Sequence, residues 1–104
     1  MKLDAFERNA AAVARLMAQL SNPRRLMVMC TLADAGEHNV GQLSCAVGVS
    51  QSALSQHLAR LREDGLVATR REAQTIWYRI ADPRIGLLLA LLHELYCSDS
   101  GEGN

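Results

Sequence analysis

Several absences bound this chain of 104 residues. Aromatic side chains make up only 4%, so a core must be built mostly from Leu, Ala, Val and Ile. Charge of one sign is not in excess, because 11 Lys+Arg meet 11 Asp+Glu. A zero balance excludes a uniformly basic protein that coats nucleic acid, though not a basic face offset by acid elsewhere. Long apolar runs are missing: the longest, Ile85 to Leu92, has eight residues. A membrane-spanning helix needs about 20, so no membrane partner is expected. The three cysteines form neither a Cys-x-x-Cys pair nor a dense framework, which excludes a disulfide-stapled secreted scaffold. Asp4 and Glu7 near the start do not read as part of a signal peptide, and the expected location is the cytoplasm.

What is present is a globular composition with 49% hydrophobic residues. The length fits one domain, or a half-unit that completes its core by pairing. Phe6, Ala10, Val13, Leu16, Met17 and Leu20 recur at three- and four-residue steps, which predicts one helix over residues 4–20. Asn22-Pro23 caps and starts a second helix that stops at Gly36 and is apolar on most sides, as a central helix would be. A short helix from Val40 to Val47, Gly48-Val49-Ser50, and a helix from Gln51 to about Asp64 make a helix-turn-helix candidate. Leu66 to Arg71 and Thr75 to Ala81 read as two strands around the polar Glu72-Ala73-Gln74, a hairpin or wing. Asp82-Pro83 caps a last helix over 83–97. The predicted fold is mainly α with a small β-hairpin: a winged helix-turn-helix with one helix added at each end. Residues 1–97 read as a single dimerising domain and residues 98–104 as a disordered tail.

The helix from Gln51 has two faces. At about 100° per residue, Leu54, Leu58 and Leu61 form a core stripe, while Ser52, Ser55, Gln56, Ala59 and Glu63 lie opposite. Small hydroxyls and amides suit a helix that enters the major groove, and Gln can pair bidentately with adenine. An ordinary solvated face would look similar, and charge placement tips the balance. Residues 50–80 carry a net +2 and residues 81–104 a net −3, so basic residues concentrate where reading would occur. The expected DNA contacts are Gln51, Ser52, Ser55, Gln56, His57 and Arg60 on the helix, with Arg70, Arg71 and Gln74 on the wing.

The last helix carries leucines around most of its circumference, and the first helix has an apolar stripe of its own. A small domain cannot cover both, so Phe6, Val13, Leu16, Leu88, Leu92 and Leu95 are expected in a homodimer interface. A two-fold dimer would read a palindromic site on double-stranded DNA.

These segments resemble the ArsR/SmtB repressors. The resemblance rests on Ser21-Asn22-Pro23-Arg24-Arg25-Leu26, Val40-Gly41-Gln42-Leu43, Ser50-Gln51-Ser52-Ala53-Leu54-Ser55-Gln56-His57-Leu58, Leu61-Arg62-Glu63-Asp64-Gly65-Leu66-Val67 and the Arg70 to Tyr78 wing. It covers nearly the whole chain and implies a dimeric winged-helix repressor, not an enzyme, that leaves its operator when an inducer binds. Two common metal patterns of the family are unmet. Leu43-Ser44-Cys45-Ala46-Val47 holds one Cys rather than a Cys-x-Cys pair, and Arg84 and a lone His93 stand where the last helix would supply ligands.

The segments around Cys30 and Cys97 look like the two cysteine segments of the BigR, SqrR and HlyU subgroup. That likeness implies a dithiol sensing reactive sulfur species or an oxidant, with no cofactor. Taken alone, Cys30 is as well explained as a small buried apolar residue, and Cys97 at a helix C-terminus gains no obvious thiolate stabilisation. Cys45 reads as a bystander. Three other readings stand beside this one: a metal sensor using Cys30, His93 and Cys97, a small thiol peroxidase, and a winged helix that binds protein.

Overall fold

The computed structural model describes residues 2–97, so the predicted tail over 98–104 lies outside the described residues. The order is α1 (Leu3–Glu7), α2 (Ala10–Leu20), α3 (Pro23–Ala35), α4 (Val40–Val47), α5 (Gln51–Glu63), β1 (Val67–Glu72), β2 (Thr75–Ile80) and α6 (Pro83–Tyr96). The architecture is the winged helix-turn-helix expected from the sequence, with one helix split. The single helix predicted over 4–20 breaks at Arg8-Asn9. Asn9 adopts φ −106 and ψ 0, and its side-chain amide donates back to the Ala5 carbonyl at 3.3 Å. Asn competes with the helix for backbone partners in this way, a tendency that apolar periodicity does not register.

The other helix starts follow from their caps. The Asn22 side chain accepts from the backbone N–H of Arg24 at 2.9 Å and of Arg25 at 3.1 Å, with Pro23 in the first turn. Asn39 and Gln42 form a reciprocal capping box at α4, Ser50 caps α5 through Ala53 N–H at 3.1 Å, and Asp82 caps α6 through Arg84 N–H at 2.9 Å. Each such cap is worth about 1 kcal/mol. Gly48, at φ 76 in the left-handed region, closes α4 and turns the chain into α5.

One core holds the domain. Val28, Met29 and Leu32 of the central α3 are buried against Leu43, Val47, Leu54, Leu58, Leu61, Leu66, Val67, Ile85 and Leu89. The wing is antiparallel, with Val67 opposite Ile80 and Glu72 opposite Thr75. His38 exchanges backbone hydrogen bonds with Tyr78 on the far edge of β2, at 3.1 and 2.8 Å. The hairpin turn is Ala73-Gln74, and Ala73 sits at φ 57. An L-residue pays a steric penalty there that glycine avoids. Ala73→Gly is therefore expected to stabilise the protein by about 1 kcal/mol. At fixed protein concentration that raises the melting temperature by about 4 to 8 °C, and a thermal melt with no rise would contradict it.

Candidate DNA-reading face and thiol cleft

The helix-turn-helix is rigidly built. Ser44 donates its hydroxyl to the Val49 carbonyl across the turn at 2.5 Å, and Leu54, Leu58 and Leu61 lie fully in the core. That burial turns Gln51, Ser52, Ser55, Gln56 and Arg60 to solvent as one polar face. His57 departs from the expected set. It is half-buried at the flank of α5, and burial first, then Arg25 and Arg60, hold its imidazole below the ordinary histidine range. Arg24 and Arg25, basic residues at the start of α3, act as tethers: Arg24 donates to the Val47 carbonyl at 3.3 Å and Arg25 to the Gln19 carbonyl at 2.9 Å.

On the wing, Arg71 and Gln74 are exposed, and Arg71 donates to the Ala73 carbonyl at 3.3 Å. Arg70 is more constrained. Its Nε lies 2.9 and 2.8 Å from the two carboxylate oxygens of Glu37, an Nη lies 3.5 Å from Glu72, and the guanidinium stacks over Trp77 at 5.6 Å. Donation from Arg70 is the main reason the Glu37 carboxyl is held below its ordinary range. Three consecutive residues thus join the wing to the helix-turn-helix. Glu37 holds β1 through Arg70, His38 pairs with β2, and Asn39 caps α4. Glu37 and Arg70 are 33 residues apart, and no local pattern points from one to the other.

The cysteines occupy different surroundings. Cys30 is half-buried on α3 and opens onto a cleft of about 180 Å³ between α3 and α6, lined also by Ala33, Asp34, Leu89, Ala90 and His93. Burial pushes its thiol above the ordinary cysteine range. Cys97 is exposed at the C-cap of α6, where its backbone N–H donates to the His93 carbonyl at 2.7 Å. At about 100° per residue, Ala90, His93 and Cys97 share one flank of α6, so Cys97 follows His93 by one turn on the cleft side. Cys45 is exposed on α4, beside His38 and Gln42 and away from that cleft. No disulfide joins the three. Among the described residues, no three His, Cys, Asp or Glu side chains gather as a metal ion would need.

A second surface is apolar. Leu87, Leu91 and Leu95 are 72%, 52% and 63% exposed along one flank of α6, and Phe6 is 53% exposed on α1. Of the residues expected at a dimer interface, Phe6 and Leu95 stand out into solvent, while Val13 is half-buried. Leu16, Leu88 and Leu92 pack partly against their own core. The sequence showed that α6 has leucine on most sides, but not which side its own domain covers. No helix among the described residues is long and apolar enough to cross a membrane.

Residues 22–69 match the arsR family of bacterial regulatory proteins. Across nearly its whole length the chain is similar to the transcriptional activator HlyU of Vibrio cholerae serotype O1, at 48% identity over 93% of this chain and 89% of that protein. It superposes on the transcriptional repressor BigR from Xylella fastidiosa with a TM-score of 0.86 and 41% identity, over 94% of this chain and 99% of that one. It also matches the homodimeric winged helix-turn-helix DNA-binding domain Mb0332 from Mycobacterium bovis, with a TM-score of 0.75 and 34% identity over 90% and 86% of the two chains. Its relatives are transcriptional regulators, not enzymes.

Proposed function

This chain belongs to the ArsR family of bacterial regulatory proteins, a homodimeric DNA-binding transcriptional regulator, and we propose that reversible oxidation or persulfidation of Cys30 and Cys97 switches its affinity for a palindromic operator. The observation that carries this reading is the cleft between α3 and α6. Cys30 opens onto it, His93 lines it, and Cys97 follows one turn further on the same flank. A covalent link there joins the central helix of the reading unit to the helix that bears the exposed leucines.

The chemistry balances without a cofactor. The Cys30 thiolate attacks the outer sulfur of a hydropersulfide R–S–SH, the S–S bond breaks, and R–S⁻ leaves Cys30 as Cys30–S–SH. The Cys97 thiolate then attacks the Cys30 sulfur and expels HS⁻, giving Cys30–S–S–Cys97. If Cys97 has also been persulfidated, the same displacement leaves a trisulfide. With peroxide, Cys30 becomes a sulfenic acid, one oxygen is reduced to water, and Cys97 displaces a second water. A disulfide needs Cα atoms about 4.4 to 6.8 Å apart, and a longer sulfur bridge relaxes that demand. Closure changes how α6 sits on α3, and so the spacing of the two recognition helices. Binding of operator by the reduced protein, followed by release that accompanies added sulfur or a link on Cys30 and Cys97 after polysulfide, tests this. Release without modification of those two residues would refute it.

Two further outcomes follow. Cys30 must ionise to react, and its thiol is pushed up by burial. Its alkylation by iodoacetamide should therefore still climb about ten-fold per pH unit where an ordinary thiol is levelling off; a plateau below pH 9 would contradict this. On α5, Gln51, Ser52, Ser55, Gln56 and Arg60 present the base-reading face; on the wing, Arg71 and Gln74 stand beside it, and Arg70 meets phosphate only by exchanging Glu37 for it. Glu37→Gln is expected to release Arg70 and steepen the salt dependence of DNA affinity by about one counterion. Fluorescence anisotropy at several salt concentrations measures the slope, and an unchanged slope would place Arg70 off the DNA.

A further inference from the structure

We infer that the cleft between α3 and α6 is an entry site that selects small sulfur donors or peroxides for Cys30 by size. Three features carry this. First, Cys30 is reached through the cleft: it is half-buried, whereas Cys45 is exposed elsewhere. Second, the volume of about 180 Å³ is small. An apolar cavity of about 150 Å³ holds a benzene molecule, so this one takes a ligand of up to about six heavy atoms, a bound that inorganic polysulfides and hydrogen peroxide meet. A tripeptide persulfide has to leave most of itself outside. Third, the lining combines Ala33, Leu89 and Ala90 with two groups able to take a proton, Asp34 and His93. The thiol, raised by burial, must lose a proton before it attacks, and these side chains flank it.

At about 100° per residue, His93 lies about 160° round α6 from Leu91, the centre of the exposed leucine stripe, while Ala90 lies nearer the edge of that stripe, about 60° from Leu87. The inference rests on Cys30 being a reactive thiol, but not on its bridge to Cys97.

The test uses the full-length protein and counts adducts on Cys30 and Cys45 in the same molecules by peptide mass spectrometry. The probes are sodium tetrasulfide and glutathione persulfide. Cys30 is expected to prefer tetrasulfide over glutathione persulfide by about ten-fold more than Cys45 does. Ala90→Leu, an exposed helical position filled with three more carbons, is expected to slow the Cys30 reaction by a similar factor and leave Cys45 unchanged. Equal probe preference at the two cysteines overturns the size selection even without the variant. Unchanged Cys30 kinetics in folded Ala90→Leu overturns the cleft as the route. Silence of Cys30 toward both probes, with Cys45 reactive, instead overturns the thiol-switch reading itself.

Discussion

Leu91→Glu is expected to lower operator affinity by about a hundred-fold or more, because it divides the dimer and with it the linked reading of two half-sites. Leu91 is half exposed at the centre of the Leu87, Leu91 and Leu95 stripe. If the stripe pairs across the two-fold, a carboxylate there would lose its hydration among leucines, which is costly without a partner of opposite charge. Within one protomer the side chain points to solvent, so secondary structure and the core around Leu54 and Leu58 should survive. Sedimentation should report a monomer, circular dichroism a normal helix content, and anisotropy a weak, strongly salt-dependent residue of binding. A monomer that still binds operator at full strength would remove the link between pairing and reading.

The second large effect is the loss of inducer response. In the reduced state, Cys30→Ser and Cys97→Ser should each bind operator within about two-fold of the unmodified protein, since Ser differs by one atom and Cys30 is only half-buried. After polysulfide, the unmodified protein should lose about 5- to 150-fold in affinity, the usual range of coupling between two sites. Each variant should lose almost none of it. The two differ in what they retain. Cys97→Ser keeps Cys30 and should stop at a persulfide, visible as added sulfur; Cys30→Ser leaves only Cys97. A Cys97→Ser protein that releases DNA fully would show that the first adduct is enough and that no bridge is required.

How much of this was legible beforehand divides along a physical line. Local signals read well. Asn22-Pro23, Ser50 and Asp82-Pro83 mark helix starts because their side chains act within three residues, and Leu54, Leu58 and Leu61 declare a core face through spacing alone. The hairpin was also evident, although Glu72 belongs to β1 and the turn is only Ala73-Gln74. Signals that depend on distant partners did not read. The split at Asn9 comes from a polar side chain folding back on its own helix. The capture of Arg70 by Glu37, and the cleft that His93 of α6 and Cys30 of α3 line together, exist only once α3, α6 and the wing have been brought together. By sequence Arg70 reads as a DNA contact on the wing, and the fold supplies it with a carboxylate.

The tripeptide between Gly36 and α4 carries a consequence for chain length. Glu37, His38 and Asn39 each serve a different element, one through a carboxylate, one through its backbone and one as a cap. Their jobs are assigned by count, so an inserted or deleted residue would leave all three out of step at once. The hairpin tip carries no such triple duty and has room to lengthen. Across homologous chains, length variation should therefore collect at the tip of the wing and be scarce between the central helix and the helix-turn-helix, although both are short surface connections.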